Sequence, residues 1–198
     1  MRNGVIKKGI GALLLALPLC SLAETINNPD LIAGYTSQEL AAALPAKVSD
    51  MAQRGVVVDD QSHSLQSEYI DSIGVRKALV TLYTLPVDKS GKVPEASQYR
   101  DLAAVIATAE KEMIRQRIRP DKREVPVDGT STFRCLQTIL NNRVLHSLCY
   151  ALVKGRVLEI QAVNTLENVQ DRASTQIVIN QQNTLVVEIG KTMLTLKK

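Results

Sequence analysis

Two histidines and three cysteines are the side chains here best suited to nucleophilic or metal chemistry. His63 sits in Asp59-Asp60-Gln61-Ser62-His63-Ser64, a run that holds a serine, a histidine and an acid. Sequence neighbours seldom form a nucleophile–base–acid relay, because the fold assembles that geometry from distant segments. No Gly-x-Ser-x-Gly elbow is present. The run therefore reads as a polar loop between strands. Cys135, His146 and Cys149 would give zinc three ligands, but a structural site takes four, and no Cys-x-x-Cys pair occurs. A Cys149 nucleophile activated by His146 would need a free thiol, which an oxidising compartment opposes. His146 reads as a packed or half-exposed strand residue. No phosphate-cradling glycine loop appears. Catalytic residues, metal ligands and cofactors are accordingly assigned as none.

Arg115, Arg117, Arg119, Lys122 and Arg123 make a basic cluster, interleaved with Glu110, Glu112, Asp121 and Glu124. Cations at a helix C-terminus complement the helix dipole, and the cluster reads as a solvated face. An anionic partner is the alternative. Nucleic acid is not expected as a partner, since no aromatic platform accompanies the charges.

The chain opens with Arg2, Lys7 and Lys8, continues with an apolar run from Ile10 to Leu19, and reaches Ser21-Leu22-Ala23. A basic head, a short apolar middle and small residues at the exit form a secretory signal peptide. Cleavage is expected between Ala23 and Glu24. Acylation of Cys20 is disfavoured by the bulky Leu19 before it. Without residues 1–23, which hold three basic and no acidic side chains, the formal charge falls from +4 to +1. The whole-chain charge thus gives no argument for nucleic acid or membrane surfaces. No stretch reaches the roughly 18 apolar residues of a membrane-spanning helix, so no integral membrane segment is expected after signal removal. The expected location is periplasmic or secreted. Residues 24–198 are read as one globular domain, because 198 residues with 45% hydrophobic and 22% charged composition suit a single core.

Removing Cys20 leaves Cys135 and Cys149, an even pair that reads as a disulfide in an oxidising compartment. A three-residue loop at Asn141-Asn142-Arg143 would set the two cysteines directly opposite in a hairpin. A two-residue loop would put them on opposite faces.

These positions depend on elements the sequence also outlines. Thr36 and Glu39 form a capping-box pattern. Leu40, Leu44, Val48 and Met51 follow at helical spacing up to Gly55, with Pro45 expected to kink or split the helix. Val56–Val58, Leu65–Ser72 and Val75–Leu85 are expected strands. A helix is expected from about Glu95 to Ile118, with Tyr99, Leu102, Ile106, Ala109 and Met113 on its apolar stripe. Strands follow at Thr132–Ile139, Val144–Val153 and Arg156–Val163. The segment from Leu166 to Ile189 is read as helical. The expected fold class is α+β: an antiparallel sheet of about six strands flanked by helices, in αβββαβββα order.

That order, with Ala78-Leu79-Val80-Thr81-Leu82-Tyr83, the long helix after it, and the meander Phe133-Arg134-Cys135, Cys149-Tyr150-Ala151-Leu152 and Gly155-Arg156-Val157-Leu158-Glu159-Ile160, resembles the PsbP-like or DcrB-like exported αβα sandwiches. The resemblance covers about residues 55–165. It implies a non-catalytic accessory or binding role and supplies no catalytic residues.

The expected function is a non-catalytic exported protein that acts through protein–protein contacts, its partner another envelope protein. The alternatives are an envelope hydrolase with a dispersed site, or an immunity or chaperone partner of a secreted toxin. Counting by twos from Cys149 puts Leu136, Val144, Leu148, Tyr150 and Leu152 on the sheet face opposite the disulfide. A face this apolar must be covered by a helix or serve as an interaction face.

Overall fold

The computed structural model describes residues 30–166 and 171–197. The expected signal segment and its Ala23–Glu24 junction lie outside the described residues.

Helix α1 (Ser37–Ala43) starts where the capping box places it. The Thr36 hydroxyl accepts from the Glu39 N–H at 3.1 Å, and the Glu39 carboxylate accepts from the Thr36 N–H at 2.8 Å. The helix ends at Leu44, whose backbone is extended, with φ −63° and ψ 132°. Proline disfavours helical backbone at the residue before it, so Pro45 ends the helix, the second of the two effects expected of it. Val48 and Met51, expected to continue that helix, lie instead in β1 (Lys47–Val48) and β2 (Met51–Asp59). Both are still buried, because they pair with each other and point to the same face.

Strands β3 (Ser64–Ile70) and β4 (Arg76–Tyr83) complete a first meander. Helix α2 (Tyr99–Arg115) follows. It closes three residues before the expected Ile118, because Arg117 turns left-handed at φ 64° and the Ile118 N–H reaches back to the Met113 carbonyl. Strands β5 (Asp121–Pro126), β6 (Thr132–Leu140), β7 (Val144–Val153) and β8 (Arg156–Thr165) form the second meander. The β7–β8 turn is a two-residue Lys154-Gly155 loop, both residues at positive φ, which matches the twist of the flanking strands. Helix α3 (Arg172–Leu194) runs unbroken behind an Asp171 cap.

The strands make one open antiparallel sheet of eight in the order β1-β2-β3-β4-β8-β7-β6-β5. The expectation of about six is corrected by β1 and β5, and both lie at the edges. Asp121-Lys122-Arg123-Glu124 shows no apolar alternation, since little of β5 is buried except Val125. Its basic residues, expected at a helix end, therefore belong to an edge strand; of the cluster only Arg115 is helical. The sheet has two faces. Helices α1 and α3 pack on the first, with Val80, Leu82, Leu158 and Ile160 wholly buried beneath them. Helix α2 packs on the second.

Close packing of α3 depends on Gly190. A Cβ added there would lie 2.5 Å from Phe133 Cε2 and 3.1 Å from Val127 Cγ2. Helix propensity alone would favour a larger residue by ~1 kcal/mol, but Phe133 is completely buried in β6 and has no room to move. Gly190→Leu is expected to cost about 2–3 kcal/mol, the upper part of the overpacking range. Gly129→Ala, with nothing within 4 Å of its added Cβ, is the neutral control. Urea denaturation of both variants measures the difference.

Candidate functional site

The β6–β7 hairpin has the three-residue loop its asparagines suggest. Asn141 and Asn142 take φ values of 51° and 56°, a left-handed conformation that asparagine tolerates. Cys135 then pairs with Cys149, and the two form a disulfide. The bond lies on the first face, beside Ala151 and Val153. His146 is three residues from Cys149, and strand alternation puts it on the other face. The zinc set Cys135–His146–Cys149 and an activated Cys149 thiol are therefore both excluded by geometry.

On the second face, Leu136, Leu148 and Tyr150 are buried against Leu102 and Met113 of α2. Helix α2 thus covers the centre of this expected face, while Val144 and Leu152 at its margin stay half-buried. Glu159 and Gln161 border it, opposite Tyr150 and Leu148. Tyr83 donates from its hydroxyl to the Glu159 carboxylate at 3.1 Å. Burial pushes the Glu159 carboxyl up from its ordinary value, against the lowering effect of that hydrogen bond. Gln161 and His146 meet at 3.0 Å, and burial holds the His146 pKa down.

The most elaborate polar cluster centres on Arg156, whose exposure is 0%. Its Nε donates to the His63 carbonyl at 3.3 Å, and Nη1 to the carbonyls of Tyr35 at 3.2 Å and Ile32 at 3.4 Å. Nη2 donates to Asp30 Oδ1 at 3.1 Å. The same carboxylate accepts from His63 Nδ1 at 3.0 Å and from the Ser37 hydroxyl at 3.0 Å. Three chain segments meet there: the entry to α1, the β2–β3 turn and the β7–β8 turn. His63 has a carboxylate partner, as a catalytic base would, but the partner is Asp30 and not a neighbour in its own loop. Asp59 instead accepts from the backbone N–H groups of Gln61 and Ser62. The far ring nitrogen of His63 is buried and faces no serine hydroxyl, so the cluster ties loops together. Sequence patterning missed it because arginine at a strand start reads as a surface charge.

A cleft between α3 and the sheet, lined by Arg76, Asn164 and Gln182, encloses about 20 Å³, room for one water. Two charges of the basic cluster meet acidic neighbours closely: Arg115 pairs with Glu112 and Lys122 with Glu110, each at 2.7 Å. These pairs fit the solvated-face reading.

The two sheet edges differ. β5 is charged along most of its length and ends in Pro126, devices that discourage further pairing. β2 presents Val56, Val57 and Val58, and Val57 is 69% exposed. β1 covers only its start, at Met51 and Ala52, with Gln53 N–H donating to the Ala46 carbonyl. Among the described residues, 55–59 have one strand neighbour, β3. Sequence analysis named Val56–Val58 as a strand but gave no sign that it would lie at an edge. No protein-family model and no curated protein matches the chain. Among the described residues no helix is long and apolar enough to cross a membrane.

Two outcomes follow from this geometry. Replacing both Cys135 and Cys149 by alanine is expected to cost about 3 kcal/mol, the chain-entropy value for a loop with a separation of 14; chemical denaturation under non-reducing conditions reads it. The second concerns Asp30. Burial works against its ionisation, but the Ser37 N–H, the His63 ring, the Ser37 hydroxyl and the Arg156 charge outweigh it and hold the carboxyl below its usual value. Its stabilising contribution is complete above the unfolded value of about 4 and is lost as pH falls through the lower folded value. Asp30→Asn should cost about 3 kcal/mol at pH 7, since it leaves Arg156 buried without a counter-charge. The loss should shrink on acidification, as the wild type surrenders the same interaction. Melting curves from pH 7 to pH 2 read this; a difference that stays constant across that range would mean that the charge on Asp30 contributes nothing.

Proposed function

We propose that this chain is a non-catalytic periplasmic or secreted protein that works by protein–protein contact, with strand addition at the β2 edge as its means. The observation that carries the reading is the unpaired, valine-rich window of β2 beside a charged, proline-ended β5. An open strand edge offers backbone donors and acceptors in register, so an extended segment gains affinity from main-chain bonds and specificity from alternate side chains. The Cys135–Cys149 disulfide supports an oxidising compartment, and the basic-apolar-small pattern of residues 1–23 supports export through a signal peptide. A PsbP-like or DcrB-like relationship belongs to the same proposal, supported by two antiparallel meanders with a long helix between them.

Site-specific photo-crosslinking in intact cells tests it. A photoreactive residue at position 57 should capture a protein in the envelope fraction, while one at position 123 on the β5 edge should not. The intact mass of the recovered chain should begin at Glu24. Equal capture from both edges, or none from position 57, would sink the strand-addition reading, and a retained N-terminus would sink export.

A further inference from the structure

We propose that the β2 edge takes a second copy of this chain, pairing antiparallel about a two-fold axis at Val57, so that two eight-stranded sheets become one. The inference rests on the strand-addition reading and names its occupant.

The window available is short and bounded. β1 occupies the edge through Gln53, and the chain turns away at Asp60. The bulge between Gln53 and Gly55 would twist an edge strand out of register, but it lies outside the window. From Gly55 to Asp59 the pairing with β3 is regular. Among the described residues these five have no strand partner on their outer side, and Val57 is at their centre.

Symmetry then fixes the register. A two-fold axis normal to the sheet keeps each face on its own side, so a residue can oppose only residues of its own face. Centring on Val57 sets Val57 against its own copy and Val56 against Val58. Gly55 opposes Asp59, whose side chain is already held by its own turn, and glycine offers nothing to clash with it. Beyond the window, Arg54 lies in the bulge at one end and Asp60 in the turn at the other, so the axis brings the Arg54 end of one copy beside the Asp60 end of the other. Both are exposed, and among the described residues neither forms an ion pair within its own chain. The edge is thus self-complementary in shape and charge: three valines flanked by a cation at one end and an anion at the other. A partner with an unrelated sequence would have to reproduce that arrangement, whereas a second copy brings it by symmetry. The same axis puts both copies of α1 and α3 on one side of the joined sheet and both copies of α2 on the other.

A five-residue window makes a small interface, so association is expected in the micromolar range. Sedimentation velocity on the disulfide-bonded protein purified from the envelope, across a concentration series, should show a monomer converting to twice the chain mass. Val57→Lys sets two ammonium groups against each other at the axis and should weaken the dimer about tenfold or more. Arg54→Asp brings a like charge beside the Asp60 end of the other copy and should also weaken it. Asp60→Arg in the same chain should restore it, since the pair is then reversed. All these positions are exposed, and melting temperatures check that each variant folds. A monomer at every concentration overturns the proposal, as does a dimer indifferent to Val57→Lys or a charge reversal that fails to rescue. If the chain is monomeric while position 57 still crosslinks to a different protein, self-pairing falls and strand addition stands. If position 57 crosslinks to nothing, both fall.

Discussion

Everything in this fold depends on the pairing of β4 with β8. The other neighbouring strands are all joined by short turns. β4 and β8 are separated by α2 and three strands, so no local turn brings them together. Their register is held by matched side chains: Val80 opposes Ile160 and Leu82 opposes Leu158, all fully buried. Loop-closure entropy opposes such a long-range contact, and burial of apolar surface at roughly 25 cal/mol per Å² offsets it. Once the contact forms, two meanders become one sheet. Its faces are then set, and so are its outer strands.

The helices follow from that choice. The first face needs cover along much of its width, and α1 and α3 supply it. The second face needs cover where Leu136, Leu148 and Tyr150 cluster, and α2 lies there. Arg156, at the start of β8, locks the same end of the sheet. Its guanidinium takes up carbonyls from three segments, while Asp30 supplies the counter-charge. A buried ion pair is weak evidence of net stability, but this one fixes how the β2–β3 turn, the β7–β8 turn and the entry to α1 sit together. The turn after β2 is thereby tied down, while among the described residues the outer side of β2 from Gly55 to Asp59 has no strand partner.

Much of this was legible in the sequence, for reasons that can be named. Thr36 with Glu39, the asparagines before Arg143 and the Lys154-Gly155 turn each impose a local geometry, and each is found where its chemistry required. The facing of Cys135 and Cys149 follows from loop length and strand alternation alone. What escaped was tertiary. The periodicity of Leu40, Leu44, Val48 and Met51 fits a helix and also fits a helix followed by two inward-facing strand residues; the effect of Pro45 on Leu44 decides between them. β5 was hidden because an edge strand buries too little to show a pattern. The edge position of Val56–Val58 was invisible, since only the strand order reveals which strand lacks a neighbour. His63 was read with the acids beside it, yet its partner, Asp30, lies 33 residues away.

The central claim is that the β2 window is a pairing surface. Amide hydrogen exchange resolved to residues 55–59, measured on the envelope-purified protein at low and high concentration, tests it most directly. The account predicts that the outward amides of this window exchange rapidly when dilute and become protected when concentrated, while the amides of β5 do not change. Exchange in residues 55–59 that is equally fast at both concentrations would contradict it.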